Sequence, residues 1–415
     1  MSWEPRIIKE SFTWLEPIAD DAIAYFYGRL FAAEPRLRAL FPPAMDLQRD
    51  RLFRALTAIV WSMDNPGALA DRLGRLGRDH RRYGVLPEHY PAVGAALIAT
   101  LRRFGGAAWT PEAEAAWTAA YRTAAEIMIA AAERDAAHAP PWWVAEVTGH
   151  DRRADDLAVL TLRPARPLPF EAGQYVTVQV ARWPRIWRPY SIAGAPRPDG
   201  TLRLHVRAVP GGWVSGALVR HTRPGQTVLL GPAAGTMTLD PGSRRDLLLI
   251  AGGTGLAPLK ALAERVALSG RDRGVHLVVA ARTGTGLYDM PDLLDLAAAY
   301  PRLRITTVIS DDPDHDGLRG TPPGVLDRLP APDEHEIYVA GPTEMIRSTV
   351  AALQRLGVPP ARVHHDLLEA EHLEVKIPET EPADAEPVTS PHAPAETPSS
   401  ADRPDRRTRW PTPPP

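Results

Sequence analysis

Three sets of residues in this 415-residue chain could do chemistry. In Trp187-Arg188-Pro189-Tyr190-Ser191 a cation, an aromatic ring and a hydroxyl stand at what reads as a strand end, close behind the extended apolar run 174–180. A guanidinium is a permanently charged, forked donor suited to phosphate. A tyrosine ring can pack on a flat ligand. In Ile250-Ala251-Gly252-Gly253-Thr254-Gly255-Leu256-Ala257-Pro258 a glycine turn separates a buried strand from a helix. Such a turn lets a pyrophosphate reach the backbone at the helix N-terminus, where free N–H groups favour anions. The third set is Leu76-Gly77-Arg78-Asp79-His80-Arg81-Arg82-Tyr83-Gly84, which closes a helix with an imidazole on its final turns. Imidazole is a common metal ligand.

The surrounding texture predicts three domains and a tail. Residues 7–137 are helical: Ile23, Phe26, Tyr27, Leu30 and Phe31 share one face, and Trp117, Tyr121, Ala124 and Met128 repeat the pattern. Pro42-Pro43 and the segment 84–87 break it, and Pro87 suits a first helical turn. Ala139-Pro140-Pro141 forms a stiff hinge. Short apolar runs then follow at 143–147, 157–162, 175–180, 202–206 and 227–230, separated by proline and glycine turns, as in a small antiparallel barrel. From residue 246 the runs 247–251, 275–281, 304–309 and 337–340 are nearly continuous in apolar residues and alternate with helical stretches such as 257–268 and 343–356. Buried parallel strands alternating with helices predict a doubly wound α/β domain. The expected boundaries are 1–138, 142–242 and 243–372, with a proline-rich tail at 376–415 too poor in apolar residues to fold.

Composition removes several function classes. The chain has no cysteine, which excludes disulfides, thiol catalysis, iron–sulfur clusters and cysteine–zinc sites. The formal net charge of -2 argues against a nucleic-acid partner. No apolar run reaches the ~18 residues of a membrane helix, and no basic-then-apolar leader opens the chain, so a soluble cytoplasmic protein is expected.

A flavin adenine dinucleotide needs its pyrophosphate neutralised and its ring supported. Arg188, Tyr190 and Ser191 supply those functions, and Gly211-Gly212-Trp213-Val214-Ser215 adds a second helix start suited to the same pyrophosphate. Tyr338-Val339-Ala340-Gly341-Pro342-Thr343-Glu344-Met345 repeats the strand, small-residue turn and helix start. Two such turns at strand C-termini suit a dinucleotide lying across the sheet edge. Taken singly, Arg188 reads as a surface ion pair, Tyr190 as core, and His80 as a packed or solvated histidine.

The ordered set Gly173-Gln174-Tyr175, Arg188-Pro189-Tyr190-Ser191, Gly212 to Ser215, Gly252 to Pro258 and Gly341-Pro342 resembles the ferredoxin–NADP reductase-like flavoprotein module over residues ~142–370. That resemblance implies an FAD barrel held through Tyr175, Arg188, Pro189, Tyr190, Ser191, Gly212, Trp213, Val214 and Ser215. It also implies a nicotinamide-nucleotide domain using Gly252, Gly253, Thr254, Gly255, Gly341 and Pro342. Two residues depart from the pattern: Ala340 stands where the family usually has cysteine, and Leu368 where an aromatic often shields the flavin. Ser310-Asp311-Asp312 puts acidic groups where NADP enzymes tend to carry arginine, which points to NADH, while Arg282 keeps NADPH possible.

Residues ~5–137 resemble a globin, specifically the haem domain of flavohaemoglobins, through Phe26-Tyr27-Gly28-Arg29-Leu30-Phe31, Leu40-Phe41-Pro42, Gln48 to Phe53 and His80 through Tyr90. The resemblance implies haem b on His80 as proximal metal ligand, with Phe41 against the porphyrin. It implies a distal pocket of Tyr27, Gln48 and Leu52, and Tyr90 behind the histidine. The carboxylate that the family bonds to that histidine falls on Arg134 in a gap-free match, so Glu133, one residue earlier, is the candidate. By resemblance, electrons pass from NADH through FAD to haem, and O₂ then oxidises nitric oxide to nitrate. Two other functions stay open: a haem-based oxygen or redox sensor, and an NADH-dependent flavin reductase serving another acceptor. The tail reads as a passive solvated extension, with the docking of a partner as the alternative.

Overall fold

The computed structural model describes residues 4–270, 272–312, 317–329 and 332–365. The helical domain holds α1 (Pro5–Thr13), α2 (Ala19–Ala33), α3 (Asp46–Trp61), α4 (Pro66–Arg81), α5 (Tyr90–Phe104) and α6 (Pro111–Ala136). Prolines open α1, α4 and α6, where a missing N–H costs nothing. Asn65 Oδ1 accepts from Ala68 N at 3.1 Å and Thr110 Oγ1 from Ala113 N at 3.2 Å, capping α4 and α6. On α2 the expected face is the buried one: Ile23, Phe26, Tyr27 and Leu30 join Phe12, Leu73, Leu97 and Trp117 in one core. The Trp117 indole donates to Ser11 Oγ at 2.9 Å inside it.

His80 owes its place to the packing of α4 on α6. At Gly77 the two helices approach so closely that a Cβ would lie 2.2 Å from Met128 O. One turn earlier, Gly74 has ordinary room, with Ala131 Cβ at 3.8 Å. Beyond His80, Arg81 pairs with Asp135 and donates through Nη2 to Ala139 O at 2.6 Å, binding the end of α4 to α6 and the hinge.

The second domain is a nearly closed antiparallel barrel. Its strands are β1 (Trp143–Ala154), β2 (Leu157–Pro164), β3 (Tyr175–Val180), β4 (Arg188–Ser191), β5 (Leu202–Arg207) and β6 (Thr227–Leu230), in the order β4-β3-β6-β1-β2-β5. A bridge between Ile192 and Leu204 brings the end of β4 to β5 and all but closes it. The first strand continues to Ala154 rather than stopping near residue 147. Its polar half, with Asp151 opposite Val159, is bent by irregularities after Val147 and Arg152, so no alternating apolar signal marks it. A short helix, α7 (Trp213–Gly216), follows Gly212, and Trp213 stacks on Trp183 at 4.9 Å.

The third domain is the expected doubly wound sheet. It contains β7 (Leu247–Gly252), α8 (Leu256–Leu268), β8 (Val275–Ala281), α9 (Met290–Ala299), β9 (Leu303–Ile309), β10 (Leu318–Arg319), β11 (Glu336–Ala340), α10 (Thr343–Arg355) and β12 (Val363–His364). The strands are parallel in the order β10-β9-β8-β7-β11-β12, and separate apolar clusters cover the two faces.

Barrel and nucleotide domain meet through a buried ionic cluster. Lys260 Nζ, 2 % exposed, donates to Asp289 Oδ2 at 2.7 Å and to Asp292 Oδ2 at 3.0 Å. Asp292 also accepts from Arg203 Nη1 of β5 at 2.8 Å, and His205 Nδ1 of β5 lies 2.9 Å from Tyr288 Oη. Burial, helped by Lys260, pushes the His205 pKa down to about 3, so its imidazole is neutral in the fold. Glu264 of α8 accepts Ala195 N at 3.0 Å, a further tie between the two domains.

Gly77→Ala is expected to destabilise the helical domain by about 2 kcal/mol, because the obstructing atoms are backbone and α4 must shift. Gly74→Ala should be neutral or gain up to about 1 kcal/mol from helix propensity. Thermal unfolding of the pair checks this; equal behaviour would show that the Gly77 approach does not control the packing.

Candidate functional site

In the helical domain the candidate residues converge on one cavity of about 260 Å³. Phe41, Leu52, Gln48, Tyr27, His80 and Tyr90 all line it, among mostly apolar neighbours. His80 Nδ1 lies 2.6 Å from Leu76 O, one turn back on its own helix. The carbonyl can only accept, so Nδ1 carries the hydrogen and Nε2 is left with its lone pair. Burial lowers the His80 pKa and keeps the ring neutral. A neutral imidazole with a free Nε2 in an apolar cavity fits a haem iron.

In the lining of the same cavity, Gln48 Nε2 donates to Tyr27 Oη at 3.3 Å. The phenol hydrogen has only a long contact to Gln48 O, at 3.4 Å. Burial raises the Tyr27 pKa to about 12, so the phenol is a neutral donor at physiological pH. Phe41 meets Tyr27 edge-on at 5.5 Å and fixes the ring.

Two proximal expectations are not met in this geometry. Glu133 is exposed on α6, and its neighbour Asp135 is engaged by Arg81. The His80 hydrogen bond goes to Leu76 O, so neither Glu133 nor Tyr90 holds the ring. The helix register decides this for Glu133: one position turns a side chain by about 100°. Tyr90 instead accepts, through its backbone oxygen, a 2.6 Å bond from Tyr121 Oη. Sequence reading missed Leu76, because a backbone carbonyl leaves no residue-type signal.

The barrel positions its set by strand pairing. Tyr175 lies opposite Ser191, Val176 opposite Tyr190, Thr177 opposite Pro189 and Val178 opposite Arg188. Strand alternation puts Arg188 and Tyr190 on one face of β4. Arg188 Nη1 donates to Trp187 O at 3.0 Å, and among the described residues the guanidinium pairs with no carboxylate. Burial, then the nearby Arg51, lowers its pKa. A half-buried cation with like charge beside it and no anion suits a pyrophosphate. Gly212 caps α7, with Val214 and Ser215 buried behind it. The Ser215 hydroxyl is already engaged with Val209 N and Gly212 O, both at 3.3 Å, so this residue shapes the turn.

The two glycine turns of the third domain touch. Ala251 and Ala340 are register partners on adjacent parallel strands. A Cβ on Gly255 would lie 2.3 Å from Ala340 O, and one on Gly341 would lie 2.8 Å from Met345 Cε. Gly253, at φ 54°, has open space over its α-carbon. That opening, beside Thr254 and next to Gly341-Pro342, is a cradle that fits a dinucleotide. At the ends of β8 and β9, Arg282 O accepts Asp311 N at 2.7 Å, so Arg282 and the acidic run sit side by side. Leu368 and the tail 376–415 lie outside the described residues.

Comparison with known proteins agrees along the chain. The globin family matches residues 24–128, the oxidoreductase FAD-binding domain 145–238 and the oxidoreductase NAD-binding domain 249–351. A flavohemoprotein of Deinococcus radiodurans is 32% identical over 387 residues, covering 86% of this chain and 94% of its own length. This chain belongs to the flavohemoprotein family. A flavohemoglobin structure from Malassezia yamatoensis, with bound FAD and haem, shares the fold at a TM-score of 0.70 and 20% identity, over 87% of this chain and 97% of that one. The FAD/NAD-binding part of a nitric oxide dioxygenase from Vibrio cholerae matches 54% of this chain and 97% of its own at TM-score 0.50 and 24% identity. Haem, FAD and a nicotinamide nucleotide are therefore the cofactors of this flavohemoprotein, which carries electrons between them. Among the described residues no helix is long and apolar enough to cross a membrane.

Replacing His80 by alanine removes the free Nε2 from the cavity. The variant is expected to lose the Soret band while retaining its flavin absorbance, checked by the spectrum of the purified protein. A persistent Soret band would move the iron ligand elsewhere.

Proposed function

We propose that this flavohemoprotein is a nitric oxide dioxygenase that draws its electrons from NADH. The observation that carries the reading is Tyr27: a neutral phenol, steadied by Gln48 and Phe41, with its hydrogen poorly engaged inside the cavity that His80 also lines. When bound, haem supplies an iron that takes diatomic gases and changes charge by one electron, and FAD converts the electron pair of a nicotinamide into single electrons.

The chain's own residues do the rest. His80 Nε2 offers the ligand, and Leu76 O keeps the imidazole in the tautomer that exposes it. Tyr27 Oη holds its proton and donates a hydrogen bond to an oxygen-bearing ligand, while the apolar lining around Leu52, Leu56 and Phe41 excludes water that would compete for it. Arg188 takes the charge of the flavin pyrophosphate and Tyr190 backs its face. Thr254 and the Gly252–Gly255 turn seat the nicotinamide nucleotide. Asp311, beside Arg282, disfavours a 2′-phosphate by like-charge repulsion, which supports NADH over NADPH. The Vibrio cholerae relative of the reductase half, named as part of a nitric oxide dioxygenase, supports the same choice of reaction.

Purified protein with NADH and air is expected to consume nitric oxide and form nitrate in equal amount. Tyr27→Phe should lower that rate about tenfold to a hundredfold, the value of one buried hydrogen bond to a charged acceptor, with the Soret band retained. Haem reduction without nitrate formation would sink the dioxygenase reading and leave an electron-transfer or sensing role.

A further inference from the structure

One arginine with no part in either cofactor site joins the two. Arg82 lies two residues beyond His80, at the C-cap of α4. Its Nη1 donates to Thr177 Oγ1 at 2.9 Å, across to β3 of the barrel. Its guanidinium carbon stands 5.9 Å from the Trp187 ring and 5.9 Å from the Tyr83 ring. Nη2 pairs with the Asp79 carboxylate and Nε donates to Asp79 O at 3.2 Å, so both ends of the fork are fixed. The side chain is 12% exposed, hence embedded rather than a solvated surface pair.

What it touches on the barrel is the flavin strand pair. Thr177 lies opposite Pro189 in the β3–β4 register, and Trp187 immediately precedes Arg188, to which its carbonyl is bonded. The neighbouring loop is built to admit the contact. Gly231 N donates to Thr177 O at 2.8 Å, and a Cβ on Gly231 would strike Thr177 Oγ1 at 2.2 Å. A second crossing reinforces it, from Arg185 Nε to Ala39 O at 3.2 Å.

We propose that Arg82 is a positioning residue for electron transfer between flavin and haem, docking the helix end that bears His80 onto the β3–β4 strand pair that carries Arg188. The inference rests on the reading of those two residues as haem and flavin contacts. Arg82 touches no reacting atom; it fixes the spacing of two centres held on separate domains. A planar fork that bonds Asp79 and Thr177 and lies over Trp187 orients as well as attaches, which a lysine ammonium does not.

Arg82→Ala in the full-length holoenzyme tests this by stopped flow and hydrogen exchange. Flavin reduction by NADH is expected to stay within about twofold of the parent, while reduction of the haem by the flavin slows about tenfold or more, the mark of a step that loses its geometry while both cofactors stay bound. Amides of 175–180 and 187–191 should exchange faster, with flavin and Soret absorbance intact. Thr177→Val, which removes one bond and keeps the guanidinium, should slow the same step less, and Arg82→Lys should restore part of the rate. A flavin-to-haem rate unchanged in both Arg82→Ala and Thr177→Val overturns the proposal, as does an equal loss in the NADH half-reaction. A parent protein with no Soret band would overturn the His80 reading and this proposal with it, and the spectrum alone distinguishes that outcome.

Discussion

The 2.6 Å contact between His80 Nδ1 and Leu76 O decides which imidazole nitrogen is left to act. A neutral ring with its hydrogen on Nδ1 presents Nε2 to the cavity, and the surrounding helices are arranged to hold it so. Gly77 lets α4 lie against α6, and Arg81 ties the end of α4 to Asp135 and Ala139. Because the acceptor is a carbonyl and not a carboxylate, the ring is polarised less than a histidine–carboxylate pair would be. A haem iron held by His80 would accordingly be served by a weaker donor than the family pattern implies.

Most of the architecture was legible because it rests on periodicity and on punctuation. The apolar face of α2, the continuous runs of β7, β8 and β11, and the proline and glycine breaks between them all leave marks in residue type. The glycine turns were legible for a similar reason: Gly255 and Gly341 sit where another backbone presses, so no other residue fits. The polar half of β1 was not legible, since Asp151 to Arg153 follow no apolar alternation and two bulges shift the register.

The candidate sites were legible by type and only partly by geometry. Tyr27, Gln48, Leu52, Phe41, His80 and Tyr90 do share one cavity. Which group holds the histidine was hidden, because backbone acceptors are anonymous in sequence and one helical position separates a buried carboxylate from a solvated one. The ionic cluster at Lys260, Asp289, Asp292, Arg203 and His205 was hidden as well. Its members come from β5, α8, α9 and the turn before it, and only the packing of two domains brings them together.

That cluster also bears on how such a chain could be cut and recombined. Splitting barrel from nucleotide domain would leave Asp292 without Arg203 and Tyr288 without His205, exposing groups that were paired across the boundary. The helical domain is joined more lightly, by a proline hinge and a few arginine contacts such as Arg82 and Arg185. The natural module is therefore the pair of reductase domains as one inheritable block, and residues 139–141 are where a different electron acceptor could be grafted in front of it.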